Sequence, residues 1–193
     1  RLITGVDVVI GKIRDRVKQL NLDDNTVIIF SADNGFYLGE YGLAGKWFPH
    51  ELSIRVPLLV YDPRAPQKLR GLVLDQMALN VDIAPTILEL AGLNVPQRMQ
   101  GRSLVPLLKG RNPKWRTEFF YEHPFVHKTI ARSEALRTRR WKYARYIDYN
   151  YEELYDLLND PEETIDLAKD EKYQKTLTSL RKHCDDLAKK AEG

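Results

Sequence analysis

Two short, uninterrupted apolar runs constrain this chain more than anything else in it: Thr26-Val27-Ile28-Ile29-Phe30-Ser31 and Val56-Pro57-Leu58-Leu59-Val60-Tyr61. Each is too brief for a typical helix, is rich in β-branched, aliphatic and aromatic residues, and lacks polar alternation. That pattern predicts strands covered on both faces, with Pro57 near a strand start, where a missing N–H is tolerated. Ahead of the first run, Leu2, Val6, Val9, Ile13, Val17 and Leu20 step by 4, 3, 4, 4 and 3, one stripe of an amphipathic helix. Helix followed by buried strand predicts α/β layering. Between the runs, Ala32 to His50 holds Gly35, Gly39, Gly42 and Gly45 and is expected as a long loop leaving the strand's carboxyl end. Open α/β sheets bind their ligands there.

Further along, Asp82 is placed to cap a helix through Leu90, because Pro85 fits a first turn and Gly92 fits the position just past an end. Residues 101–110 form a connector with one helical turn. From about Trp115 the character changes, since seven of the ten tyrosines lie beyond residue 120. Four short strands are expected, at 117–122, 130–138, 141–147 and 152–156, with Arg139-Arg140 as a tight turn. Asp160-Pro161-Glu162 breaks the chain before a last helix, striped by Leu177, Leu180, Cys184, Leu187 and Ala191. The expected organisation is an α/β part over residues 1–112, then a smaller antiparallel sheet with a C-terminal helix over 113–193.

Composition narrows the function. Thirty Lys and Arg against 27 Asp and Glu leave a net charge of +3, too balanced to demand a polyanionic partner. No apolar run approaches the ~18 to 20 residues that a membrane span needs. The single cysteine excludes an internal disulfide framework and any multi-cysteine zinc site. The chain opens at Arg1, without Met, a leader pattern or a capping residue for its first helix, and is expected to be a piece of a longer protein.

Asp33-Asn34-Gly35 sets a carboxylate and a carboxamide side by side at the end of the first strand, with a glycine to let the chain turn away. Hard cations such as calcium take such oxygens, and a plain Asx turn uses the same residues. Lys46 follows Asp33 by 13 positions, between Gly45 and Trp47, and is a candidate fixed cation for an anionic group or simply a solvated lysine. His50 and Glu51 are candidate proton carriers or polar loop residues. Arg55, just before the second strand, suits an ion pair or substrate support better than catalysis.

An ordered series then carries a resemblance. Asp33-Asn34-Gly35, Leu38-Gly39-Glu40-Tyr41-Gly42-Leu43, Gly45-Lys46-Trp47 and Ser53-Ile54-Arg55-Val56-Pro57-Leu58 come first. Val81-Asp82-Ile83-Ala84-Pro85-Thr86, Ala91-Gly92-Leu93, Gly101-Arg102-Ser103-Leu104, Glu153-Leu154-Tyr155-Asp156-Leu157 and Asp160-Pro161-Glu162-Glu163 come after them. Together they resemble the sulfatase family of the alkaline-phosphatase-like superfamily, over nearly the whole chain. The resemblance implies part of an α/β sandwich and a sulfuric ester hydrolase acting on sulfate esters, with sulfated carbohydrates as one substrate class. It also implies a periplasmic, secreted or lysosomal location, Asp33 and Asn34 as calcium ligands, and Lys46 as a contact to sulfate.

One departure is large. The family's nucleophile is a formylglycine made from Cys or Ser in a Cys/Ser-x-Pro-x-Arg motif. Cys184 is followed by Asp185-Asp186-Leu187-Ala188, and Ser31, Ser53, Ser103, Ser133 and Ser179 all lack a proline two positions on. The chain therefore resembles the carboxyl-terminal half, inactive alone, whose partner would be the missing amino-terminal half. A phosphodiesterase or phosphonate hydrolase of the same superfamily is the alternative, since metal and lysine serve phosphoryl transfer equally well. A second rival is nucleic-acid binding by Lys128, Arg132, Arg137, Arg139, Arg140, Lys142 and Arg145, interleaved with Trp141, Tyr143 and Tyr146. Ten acidic residues between Asp148 and Glu171 weigh against it.

Overall fold

The computed structural model describes residues 2–192, which fall into two compact units. The first comprises the residues up to Ala32 with Pro57–Leu74 and Asn80–Pro113; the second comprises Asp33–Val56, Asp75–Leu79 and Lys114 onward. Among the described residues no helix is long and apolar enough to cross a membrane.

In the first unit, the striped segment is helix α1 (Leu2–Gln19), with Arg16 and Lys18 in its last turn, where they favour the helix dipole. None of its residues is buried, and Leu2 and Ile3 are 89% and 87% exposed. The two apolar runs form strands β1 (Ile28–Ser31) and β4 (Leu58–Tyr61), paired antiparallel with Ile28 opposite Tyr61. Within this chain the two runs are not covered on both faces. β1 is half-buried throughout, and β4 alternates, with Leu59 and Tyr61 exposed, because these two strands make a two-stranded sheet with a single covered face.

Helix α3 (Ile83–Leu90) ends before Gly92, whose φ of +74° is the left-handed turn that glycine adopts at a helix end. Asp82 stands at its N-cap position but forms no side-chain cap; its backbone is helical, and its carboxylate instead accepts the N–H of Arg102 at 2.7 Å. Thr86 does similar work, accepting the N–H of Leu104 at 2.9 Å while donating to the Asp82 carbonyl. Gly101 is required by space, since a Cβ there would stand 1.9 Å from the Val81 carbonyl oxygen. This strap leads into the expected single turn, α4 (Val105–Leu108).

The second unit holds the larger core. Strands β5 (Glu118–His123), β6 (Ser133–Thr138), β7 (Trp141–Tyr146) and β8 (Tyr151–Asp156) form an antiparallel meander in chain order, with Arg139-Arg140 in the tight turn. Leu136, Tyr143 and Leu154 lie side by side across β6, β7 and β8 and pack with Leu177 and Cys184 of helix α5 (Gln174–Glu192). The helix stripe thus covers the sheet as its spacing requires, except at Ala191, which is exposed. Burial pushes the Cys184 thiol up to about 12, so it is an inert core group.

The glycine-rich segment is not a featureless loop. Strands β2 (Tyr37–Leu38) and β3 (Ala44–Gly45) pair antiparallel around a 3₁₀ turn at Glu40–Gly42, and helix α2 (Glu51–Ile54) comes next. Gly39, Gly42 and Gly45 have φ of +126°, +71° and +91°, so the glycines enable the small hairpin.

Candidate functional site

Asp33, Asn34, Lys46, His50 and Arg55 all belong to the second unit. The Asn34 N–H donates to Asp33 Oδ1 at 2.9 Å, a bond between neighbouring residues rather than the two-residue Asx turn. Gly35 is needed for its size and not for its torsion. Its N–H donates to the Ser53 carbonyl at 2.8 Å, and a Cβ would stand 1.9 Å from the Leu52 carbonyl oxygen. The chain therefore presses directly on the end of α2.

Lys46 is brought to the Asp33–Asn34 pair: its Nζ donates to Asn34 Oδ1 at 2.7 Å and lies 5.0 Å from the centre of the Trp47 ring. Asn34 Nδ2 donates to the Gly35 carbonyl at 2.7 Å, which orients the carboxamide with its oxygen toward the ammonium. Trp47 itself has φ of +101°, a strained conformation for a bulky side chain. Tyr121 holds it there by donating its hydroxyl to the Trp47 carbonyl at 2.9 Å.

His50 is turned inward. It is 5% exposed, its Nδ1 lies 2.8 Å from the Tyr37 hydroxyl, its Nε2 is 3.4 Å from Glu153, and its ring stacks on Tyr41 at 4.9 Å. Arg55 ends α2 with its N–H on the Glu51 carbonyl, and its side chain is exposed, with no ion pair among the described residues.

Glu51, a candidate proton carrier by sequence, has a fixed role. Its carboxylate meets Lys142 Nζ at 2.8 Å and Arg137 at 3.4 Å, and its N–H donates to Glu163 Oε2 at 2.6 Å. Lys142 and Glu163, both fully buried side chains, pair at 2.6 Å. Glu163 thereby caps α2 from a distant segment, and the loop bearing Lys46 is fastened to the meander. Burial would raise the Glu51 carboxyl, but Lys142 and then Arg137 outweigh it and hold the group below the ordinary carboxylate range.

The same pairing bears on the basic, aromatic face. Lys142 is buried, Arg132 pairs with Asp148, Arg140 with Asp156, and Arg145 with Glu134 and Asp185. Tyr143 and Tyr146 are 0% and 6% exposed. Those two rings cannot stack bases, and five of the seven cations, Arg132, Arg137, Arg140, Lys142 and Arg145, are engaged by carboxylates.

Asp33 and Asn34 carry oxygens of the type a calcium shell uses, although Asn34 Oδ1 here accepts from the Lys46 ammonium. They fit as part of a shell: calcium takes about six to eight oxygens, and among the described residues no three His, Cys, Asp or Glu cluster as a metal site.

By sequence Trp47 stands out only as a neighbour of Lys46, and the Lys142–Glu163 anchor does not stand out at all. A positive φ at a bulky residue and an ion pair between distant segments leave no local pattern, so neither residue carried a signal that sequence reasoning could have used.

The α/β unit and the antiparallel meander are the architecture of alkaline-phosphatase-like proteins, as comparison shows. Residues 39–190 match the family described as N-sulphoglucosamine sulphohydrolase, C-terminal, and the chain belongs to this sulfatase family. It is 35% identical over 185 residues to an N-acetylglucosamine-6-O-sulfatase of Bacteroides thetaiotaomicron, covering 92% of this chain and 33% of that protein. A structure solved in complex with its substrate D-glucosamine-2-N,6-O-disulfate superimposes with a TM-score of 0.87 at 30% identity, over 97% of this chain and 39% of that one. The phosphonate monoester hydrolase of Agrobacterium radiobacter gives 0.84 at 28%, over 97% and 40%. The chain thus spans about a third of the length of the curated relative and two fifths of these structures.

Proposed function

We propose that this chain forms the carboxyl-terminal half of a carbohydrate sulfatase and contributes Lys46, Asp33 and Asn34 to its active site. The observation that carries the reading is the 2.7 Å bond from Lys46 to Asn34, which places a fixed positive charge beside an oxygen pair suited to a hard cation. Asp33 and Asn34 would hold part of a calcium shell, and the ion when bound would draw charge from the sulfate oxygens. Lys46 binds a sulfate oxygen and stabilises the charge that builds on it as the ester bond breaks. Asn34 positions that ammonium, and Gly35 keeps the pair seated on α2. The nucleophile, a formylglycine in this family, lies outside the present sequence, so the isolated chain is inactive and binds calcium weakly.

The test is turnover of N-acetylglucosamine 6-sulfate by the full-length protein. Lys46→Ala should lower kcat/KM by about two to three powers of ten, as loss of one preorganised donor does. Unchanged turnover removes Lys46 from the mechanism. The likeness to phosphonate monoester hydrolases favours a second reading, and a phosphonate monoester cleaved faster than any sulfate ester would establish it. In calorimetry the isolated chain should give no micromolar calcium binding.

A further inference from the structure

Beside Lys46 three aromatic rings stand in a row. Trp47 and His123 have ring centres 5.3 Å apart at 38°, and His123 and Phe125 are 5.7 Å apart at 59°. His123 is 7% exposed in the middle, while Trp47 and Phe125 are 41% and 70% exposed at either side. We propose that this row is the wall against which the sugar ring of the substrate packs, and that Trp47 and Phe125 select a pyranose over other sulfate esters. The inference rests on the reading of Lys46 as the sulfate contact and names the adjoining subsite.

Three observations converge on it. The Lys46 ammonium lies over the Trp47 ring, so a sulfate bound there has its ester group beside the wall. The strained backbone of Trp47 is held by a hydrogen bond from Tyr121, a residue of the same strand, β5, that bears His123. Phe125 presents its ring to solvent in the loop after β5, where a bound ligand can meet it. Pyranose rings carry C–H groups on their faces and hydroxyls around their rim, and they suit an aromatic platform with a polar group inside it. His123 supplies the polar group. Burial holds it below the ordinary imidazole value, so it is neutral at pH 7 and offers both a donor and an acceptor to a hydroxyl.

The experiment compares N-acetylglucosamine 6-sulfate with a small alkyl sulfate that has no ring, in the full-length protein. Phe125→Ala, at an exposed position, does not threaten the fold, and Trp47→Ala is checked by thermal unfolding. Each should lower the ratio of kcat/KM for the sugar to that for the alkyl sulfate by about ten-fold, mainly through KM. Trp47→Phe should restore most of the ratio. A ratio unchanged in both alanine variants, with the wild type active on both esters, overturns the wall and leaves the sulfatase reading intact. A wild type that hydrolyses neither ester overturns the sulfatase reading and the wall with it.

Discussion

Gly35 and Trp47 depart from ordinary residue behaviour in opposite ways. Gly35 has no positive φ and is glycine because the Leu52 carbonyl occupies the space of a Cβ, whereas Trp47 takes a positive φ despite a large side chain. The first is a steric requirement, so its consequence is stability. Gly35→Ala should destabilise the full-length protein by about 3 kcal/mol, near the upper end of the range for overpacking, measured as a shift in urea midpoint. No shift would mean that the end of α2 yields freely to the added methyl. The Asp33–Asn34 pair was readable as a candidate because adjacent oxygens and a following glycine leave a local pattern. The inward turn of His50 was not, since it depends on Tyr37, Tyr41 and Glu153, far apart in the chain.

At the scale of elements, the strands of the meander and both long helices were legible because their patterns are local: period 3.6 along α1 and α5, β-branched and aromatic runs along the strands. What fastens α2 to that meander was not legible. Lys142 sits between Glu51 and Glu163 with no exposed surface, and removing it leaves a buried carboxylate without its partner. Lys142→Met should therefore cost about 3–5 kcal/mol at pH 7. The pH dependence has a definite sign. Glu51 is held below its ordinary value of 4.5, so its contribution is present above that pH and is lost as pH falls through the lower folded value. Urea midpoints from pH 7 to pH 3 should fall less steeply below 4.5 in Lys142→Met than in the wild type. Parallel curves would show that Lys142 does not set the carboxylate's titration.

Across the whole molecule, protection from exchange should track burial. The second unit has a core of Leu136, Tyr143, Leu154, Leu177 and Cys184, whereas α1 buries no residue and β1 and β4 are half-covered at best. In hydrogen exchange of this chain, amides of β6 and β7 should exchange on the order of a thousand-fold more slowly than those of α1. Equal protection would mean that another copy or another segment covers the α1 stripe. The sequence by itself determined the long helices, the two apolar strands, the meander, the α/β class, the sulfatase resemblance and the Asp33, Asn34 and Lys46 candidates, because periodicity, turn residues and ordered motifs are written in neighbouring positions. Tertiary structure alone decided that the two apolar runs pair antiparallel and stay half-exposed, that Asp82 holds Arg102 in place of capping a helix, and that Glu51 is an anchor. It also placed Trp47, His123 and Phe125 in one row. Each of these depends on which distant residue supplies the missing hydrogen bond, charge or surface, and local patterning carries no record of that.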